Sequence, residues 1–328
     1  MNDGRYSHTA SLLLDGTVLI TGGQSNNTQY LNSTELYDPS TEAWTIVGSM
    51  HYARSRHTAS VLSNGQVLVT GGRNNNNYLT STELYDPLTK TWKLIGNMST
   101  ARMDHQACVF SNGTVIIAGG WNTTYWNTAE LYDPSTQTWT ATGNMNSFRS
   151  SYRASILNNG KFLVAGGDNA GGFINHVDIY DLSIGNWTAT GHMNNARRNH
   201  AIVLLATGQV LAIGGDTTGI SYLDTTEIYN VSTGTWAIVG SMHHARSRHT
   251  ATVLTNGQVL VTGGYNGITL NNVEIYNLQT GIWTLMNSMK DTRNRHTATL
   301  LTNGNVLLIG GLSNDSVALN TCELFRNT

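Results

Sequence analysis

The chain has 328 residues, of which 12% are charged, and a formal net charge of −2. That balance excludes nucleic acid as a partner, which would require a basic patch to neutralise a phosphate track. No apolar run approaches the ~20 residues that span a bilayer, so membrane insertion is not expected.

Read from the N-terminus, Arg5 is followed three residues later by His8, then by an apolar run, a turn at Asp15-Gly16, a second apolar run and Gly22-Gly23. A variable loop leads to Glu35-x-Tyr37, and seven residues beyond the tyrosine stands Trp44. The order then begins again. Diglycines recur at Gly71-Gly72, Gly119-Gly120, Gly166-Gly167, Gly214-Gly215, Gly263-Gly264 and Gly310-Gly311, spaced by 49, 48, 47, 48, 49 and 47 residues. Residues 54–72 and 246–264 differ only at Ser60/Thr252 and Ser63/Thr255, four periods apart. No window sustains a helical 3.6-residue period.

Turn chemistry divides each unit into four strands, A to D. Asn64-Gly65, Asn112-Gly113, Asn159-Gly160, Asn256-Gly257 and Asn303-Gly304 predict two-residue hairpins with positive φ between A and B. The STELYD-like segment is strand C. Asp-Pro at Asp38, Asp86 and Asp133 turns it into strand D, which carries the tryptophan. Strand B, VLVTGG in the second unit, is apolar on both faces, as a sheet clamped between two others requires. The glycines without Cβ let a neighbouring aromatic press on the backbone.

Seven helix-free units of four strands predict an all-β, seven-bladed β-propeller occupying residues 1–328 as one domain. The diglycine, tyrosine and tryptophan at this period resemble the kelch repeat, and the resemblance covers essentially the whole chain. It implies a propeller of the galactose-oxidase-like group. The seventh unit stops after Phe325 without a strand D or its tryptophan. The expectation is a last blade that lacks its outer strand, whose open edge is a candidate for pairing with another chain. A piece of a longer repeat protein would have this appearance.

Two columns of the repeat carry charge. Arg5, Arg54, Arg102, Arg149, Arg197, Arg246 and Arg293 recur at one position, and an acid recurs two residues before each strand C aromatic, which predicts one buried Arg–carboxylate pair per blade or blade junction. The histidine column (His8, His57, His105, His200, His249, His296) serves the repeat rather than a metal, since a sevenfold ring is too wide for a ~2.1 Å coordination sphere. No metal or cofactor is expected. The copper radical site implied by the galactose oxidase resemblance requires two histidines, two tyrosines and a cysteine joined to one of them. Cys108 and Cys322 instead occupy small-residue slots of the strand pattern, and the two make no disulfide framework.

In an A-B-C-D meander the B–C and D–A connections share one face. The B–C loops differ in every unit, so this face is the candidate binding surface. Its candidate residues are Tyr30, Tyr78, Trp121, Tyr125, Trp126, Phe173, Tyr222 and Tyr265, aromatics among Asn and Thr that either meet a ligand or fold back as anchors. The fourth unit departs most: Tyr152 replaces the histidine, Arg153 follows it, and Asp178 replaces Glu. With Arg149, Asp168 and Asp216 it is a candidate mixed-charge patch. The expected function is a non-catalytic scaffold for a protein or peptide. A glycan-binding module is the second reading and a carbohydrate-active or copper enzyme the third. Compartment stays open: MNDGRYSHTA lacks the apolar core of a secretory signal, and eight Asn-x-Ser/Thr triplets (Asn26, Asn32, Asn97, Asn112, Asn122, Asn186, Asn230, Asn314) are about what a chain rich in Asn, Ser and Thr yields by chance.

Overall fold

A computed structural model describes residues 1–25, 29–75, 77–314 and 316–327. The acceptor Asn26, and residues 26–28, 76 and 315 of three B–C loops, lie outside the described residues. Among those described there is no helix, and so none long and apolar enough to cross a membrane. The strands form six antiparallel four-stranded blades and a seventh of three strands. Blade 2 is representative: A is Thr58–Val61, B Val67–Thr70, C Thr82–Asp86 and D Thr91–Ile95, with Val67 opposite Tyr85 and Tyr85 opposite Trp92.

Strand A lines the central channel and packs against strand A of both neighbouring blades. The strand B residues are buried on both faces in all seven blades. The apolar core lies between blades rather than within them: Leu13 and Leu19 of blade 1 pack with Val67, Val69, Tyr85 and Trp92 of blade 2. The strand C tyrosine and strand D tryptophan of blades 1 to 6 stack with ring centroids 5.0–5.2 Å apart. The indole then reaches the preceding blade, as when Trp187 Nε1 donates to the Gly143 carbonyl at 2.7 Å.

The A–B turn differs from the sequence expectation. Gly65 N–H donates to Leu62 O (2.9 Å) and Leu62 N–H to Gln66 O (2.8 Å), so the loop has three residues, and only the glycine takes positive φ (+83°). The Asn64 side chain accepts from Gln66 N–H (3.0 Å), which keeps Asn64 out of the left-handed region and leaves the bulge to Gly65.

The first glycine of each pair is a joint between blades. Its φ is +58° to +65°, and a Cβ there would stand 2.3–2.8 Å from the carbonyl oxygen of the repeat arginine in the next blade. The ring that presses on it is the next blade's histidine, or Tyr152 at Gly119. The ring of blades closes by the same joint. Gly311 N–H donates to Arg5 O (2.8 Å), Arg5 N–H to Leu319 O (3.0 Å), and Val18, Ile20 and Tyr37 pack on Leu301, Leu307 and Ile309. Trp44 of the blade 1 outer strand also packs on this closure, whereas among the described residues blade 7 supplies no outer strand to it. Strand C of blade 7, Cys322–Phe325, pairs on one side only, and its Glu323 side chain is 22% exposed where the equivalent acids of the other blades are at most 3% exposed.

The charged columns form the expected pairs, one per blade. The seven repeat arginines are fully buried and reach their acids at 2.6–3.1 Å. Arg54 also donates to the carbonyls of Gly71 (2.7 Å) and Ser81 (3.0 Å), while Glu83 accepts the amides of His51 (2.7 Å) and Tyr52 (3.1 Å). Each pair therefore ties the incoming D–A connection to strands B and C of the blade it enters. Burial pushes the Arg54 guanidinium down, against the pull of Glu83.

Candidate functional site

On the face shared by the B–C and D–A connections, the residue after each repeat arginine bridges the residue after each diglycine: Tyr6 with Gln24, Ser55 with Arg73, Met103 with Trp121, Ser150 with Asp168, Arg198 with Asp216, Ser247 with Tyr265 and Asn294 with Leu312. All seven of those loop residues pair again with the returning limb of the same loop, at Tyr30, Tyr78, Tyr125, Phe173, Tyr222, Thr269 and Ala318. Each B–C loop is therefore a tied hairpin, and the sevenfold scaffold delivers side chains to fixed rim positions.

These registers place the sequence candidates. Tyr30, Tyr78, Tyr125, Phe173 and Tyr222 hold equivalent positions on the returning limbs, whereas Trp121, Asp168, Asp216 and Tyr265 hold equivalent positions on the outgoing limbs. Adjacent blades join through them: Tyr78 meets Trp121 edge-on at 5.2 Å, Tyr222 meets Tyr265 at 5.7 Å, and Arg73 donates to the Tyr30 hydroxyl (2.7 Å). Trp126 belongs to a different column. Its amide donates to Gly120 O and its carbonyl accepts from Arg149 N–H, the bonds that buried Leu79 makes in blade 2, so Trp126 is a loop anchor.

Blade 4 corrects part of the expected patch. Arg149 and Tyr152 are fully buried: Arg149 is bound to Asp178 and the carbonyls of Gly166 and His176, and Tyr152 to Ala118 O. Neither reaches the loop face. Arg153 does reach the channel and donates to the carbonyl of Tyr152 (3.0 Å). A mixed-charge patch forms instead around Arg198, which binds Asp168 (2.9 Å) and Asp216 (3.0 Å), with the Phe173 ring beneath its guanidinium at 4.6 Å. Asp168 also accepts from Ser150 (2.9 Å).

Inside the rim lies a ring that sequence reasoning missed. Ser7, Arg56, Asp104, Ser151, Asn199, Arg248 and Arg295, two residues beyond each repeat arginine, all have φ between 50° and 55°. Six bridging backbone bonds link them around the channel, including Arg56 N–H to Ser7 O (3.0 Å), Arg248 N–H to Asn199 O (2.9 Å), Arg295 N–H to Arg248 O (3.0 Å) and, across the closure, Ser7 N–H to Arg295 O (3.2 Å). The backbone is spent on its neighbours, and the side chains line a cavity of about 530 Å³ at the channel mouth, together with Arg153, Arg198 and the strand A residues. The available signal was a variable residue between an arginine and a histidine that hardly vary.

The histidines behave as the repeat requires. His57 Nε2 meets the hydroxyls of Thr9 (3.1 Å) and Thr21 (3.2 Å) of the preceding blade, and His105 and His296 do likewise. Burial, aided by the adjacent repeat arginine, drives His8 and His105 down to about 3, so these imidazoles are neutral. In blade 4 the equivalents of Thr9 and Thr21 are Arg153 and Ala165, and His200 has no partner there.

Comparison with known proteins agrees with this geometry. Among solved structures, a fungal alcohol oxidase of the AA5 family in complex with copper superposes with a TM-score of 0.79 at 20% identity, over 96% of this chain and 72% of that one; the likeness shows the fold. No curated protein matches the sequence. The family model described as the KLHDC2/KLHL20/DRC7 Kelch-repeats domain matches residues 1–157 and 151–326. With that match spanning nearly the whole sequence, and with its diglycine joints and buried Arg–acid pairs in seven blades and its Tyr–Trp stacks in six, the chain belongs to the kelch-repeat family.

Proposed function

We propose that the chain is a non-catalytic binding scaffold whose face of B–C and D–A connections receives a protein or peptide. The kelch propeller supports a binding scaffold in general, and kelch domains generally bind proteins. The observation that carries the reading is the division of the repeat. The diglycine and repeat-arginine columns of the blade joint are the same in all seven blades, whereas the left-handed ring and the rim limbs hold Ser, Arg, Asp, Asn, Tyr, Trp and Phe in no repeating order. Rigid backbone with irregular side chains is what selection for one particular partner produces. The opposite face carries short stereotyped turns.

A glycan reading draws on the Trp121–Tyr78 and Tyr222–Tyr265 contacts, which offer aromatic faces among Asn and Thr. For copper, which the AA5 oxidase holds, the donor set does not fit. Among the described residues no three of His, Cys, Asp and Glu converge, the channel histidines point into blade junctions, and burial pushes the Cys108 thiol up to about 12. The two arms of the test are selection of a peptide library and a glycan array. Peptides whose binding falls on Trp121→Ala or Tyr222→Ala, and not on substitution of Gln66 in an A–B turn, support the proposal. Glycan hits lost on Trp121→Ala with no peptide selected favour the second reading, and stoichiometric copper in purified protein would overturn the non-catalytic assignment.

A further inference from the structure

The cavity at the channel mouth has a charge pattern that the blade architecture does not require. Of the 18 lysines and arginines, seven are the repeat arginines, and five of the others, Arg56, Arg153, Arg198, Arg248 and Arg295, line this one cavity, with Asp104 the only acid in its wall among the described residues. Arg198 is neutralised by Asp168 and Asp216, and Arg56 by Asp104 at 2.9 Å. Among the described residues no acid pairs with Arg153, Arg248 or Arg295. Arg248 and Arg295 rest instead near the rings of Tyr265 and Tyr6, at 5.7 Å and 5.9 Å. All three are half-buried, so water screens them incompletely.

From this we infer that the channel mouth is an anion receptor, in which Arg153, Arg248 and Arg295 hold a carboxylate, phosphate or sulfate group of the ligand. The inference rests on the loop face being the binding face and names the chemistry of what enters it. Burial and the proximity of Arg248 and Arg56 push Arg295 down to about 9, a cost that a bound anion relieves. Arginines from different blades line this one cavity, and planar guanidinium forks bind carboxylate and phosphate oxygens in pairs. The chain as a whole is slightly acidic, so the site is a local positive well rather than part of a basic surface.

The test is titration calorimetry at fixed ionic strength with inorganic phosphate, sulfate, citrate, and a Glu-rich peptide beside its Gln counterpart. Wild type and the Arg248→Gln/Arg295→Gln variant are compared, with Lys161→Gln as the surface control. The expected result is saturable binding of at least one anion, weakened about tenfold or more in the double variant and unchanged in the control. Because the double variant removes unpaired like charges, its melting temperature without ligand should not fall, which separates lost binding from lost fold. Preference for the Glu peptide over free anions assigns the group to a peptide side chain, and the reverse order assigns it to a small molecule. No saturation by any probe at millimolar concentration, or equal affinity in wild type and double variant, overturns the inference. A peptide that binds the loop face with no dependence on these arginines overturns it too, while leaving the scaffold reading in place.

Discussion

The buried Arg–acid pair makes a quantitative claim, and Arg54–Glu83 is the place to test it. Replacing Arg54 by Met keeps most of the side-chain volume. It strips Glu83, which is fully buried, of its 2.7 Å partner, and it deprives the Gly71 and Ser81 carbonyls of a donor. Leaving one member of a buried pair alone costs about 3–5 kcal/mol, a large share of the roughly 5–15 kcal/mol that holds a folded domain together. The companion variant Glu83→Leu orphans the amides of His51 and Tyr52, which the carboxylate accepts at 2.7 and 3.1 Å. The two together remove both charges from the interior. Guanidinium unfolding followed by tryptophan fluorescence on wild type, both singles and the double completes the cycle. The expected outcome is a loss of about 3–5 kcal/mol for Arg54→Met and a double variant less damaged than the sum of the singles by about 2 kcal/mol or more. A single-variant loss under about 1 kcal/mol, or strict additivity, would show that the pair does not hold the connection to the blade.

Other consequences are open to the same methods. Six buried histidines are held neutral, with His8 and His105 at about 3. Their folded values lie below the unfolded ~6.5, so the stability they protect is full above that pH and is lost on acidification at about 1.4 kcal/mol per unit for each. Melting temperature should therefore drop steeply between about pH 6 and 4, and a flat profile down to pH 4 would contradict the neutral assignment. Gly71→Ala places a Cβ 2.6 Å from the Arg102 carbonyl at φ +60°, whereas Gly65→Ala meets only a leucine methyl at 3.1 Å. The first should cost about 2–4 kcal/mol and the second about 1 kcal/mol, from backbone strain alone; equal losses would deny that the diglycine is the blade joint. Gln137 holds φ +57° at a C–D turn where blades 4 to 6 place Gly185, Gly234 and Gly281, so Gln137→Gly should stabilise by about 0.5–1 kcal/mol in the same unfolding assay, and a loss would contradict the strain.

The architecture was legible in the sequence because a repeat reports itself seven times. A diglycine that recurs every 47 to 49 residues has to be doing one structural job, and so do the arginine and acid columns. The local geometry was less legible. Asn-Gly reads as a two-residue hairpin until the Asn64 side chain is seen capping Gln66 and moving the bulge to Gly65. The site was read through the conspicuous residues. The aromatics of the B–C loops fell on two real rim columns, yet Trp126 turned out to be an anchor, and Arg149 and Tyr152 to be interior. The left-handed ring escaped notice because nothing in the residue types Ser7, Arg56, Asp104 and Asn199 announces a positive φ or a shared position. Only the backbone bonds that circle the channel put Arg248 and Arg295 beside each other, and no linear spacing of 47 residues conveys that.

The most direct test of the division between fixed scaffold and selective face is a hydrogen-exchange footprint of the propeller with a selected peptide bound. Protection confined to residues 54–58, 246–250 and 293–297 and the rim limbs around Trp121 and Tyr222 is the expected result. Protection centred on the A–B turns at residues 62–66 and 254–258 would contradict it.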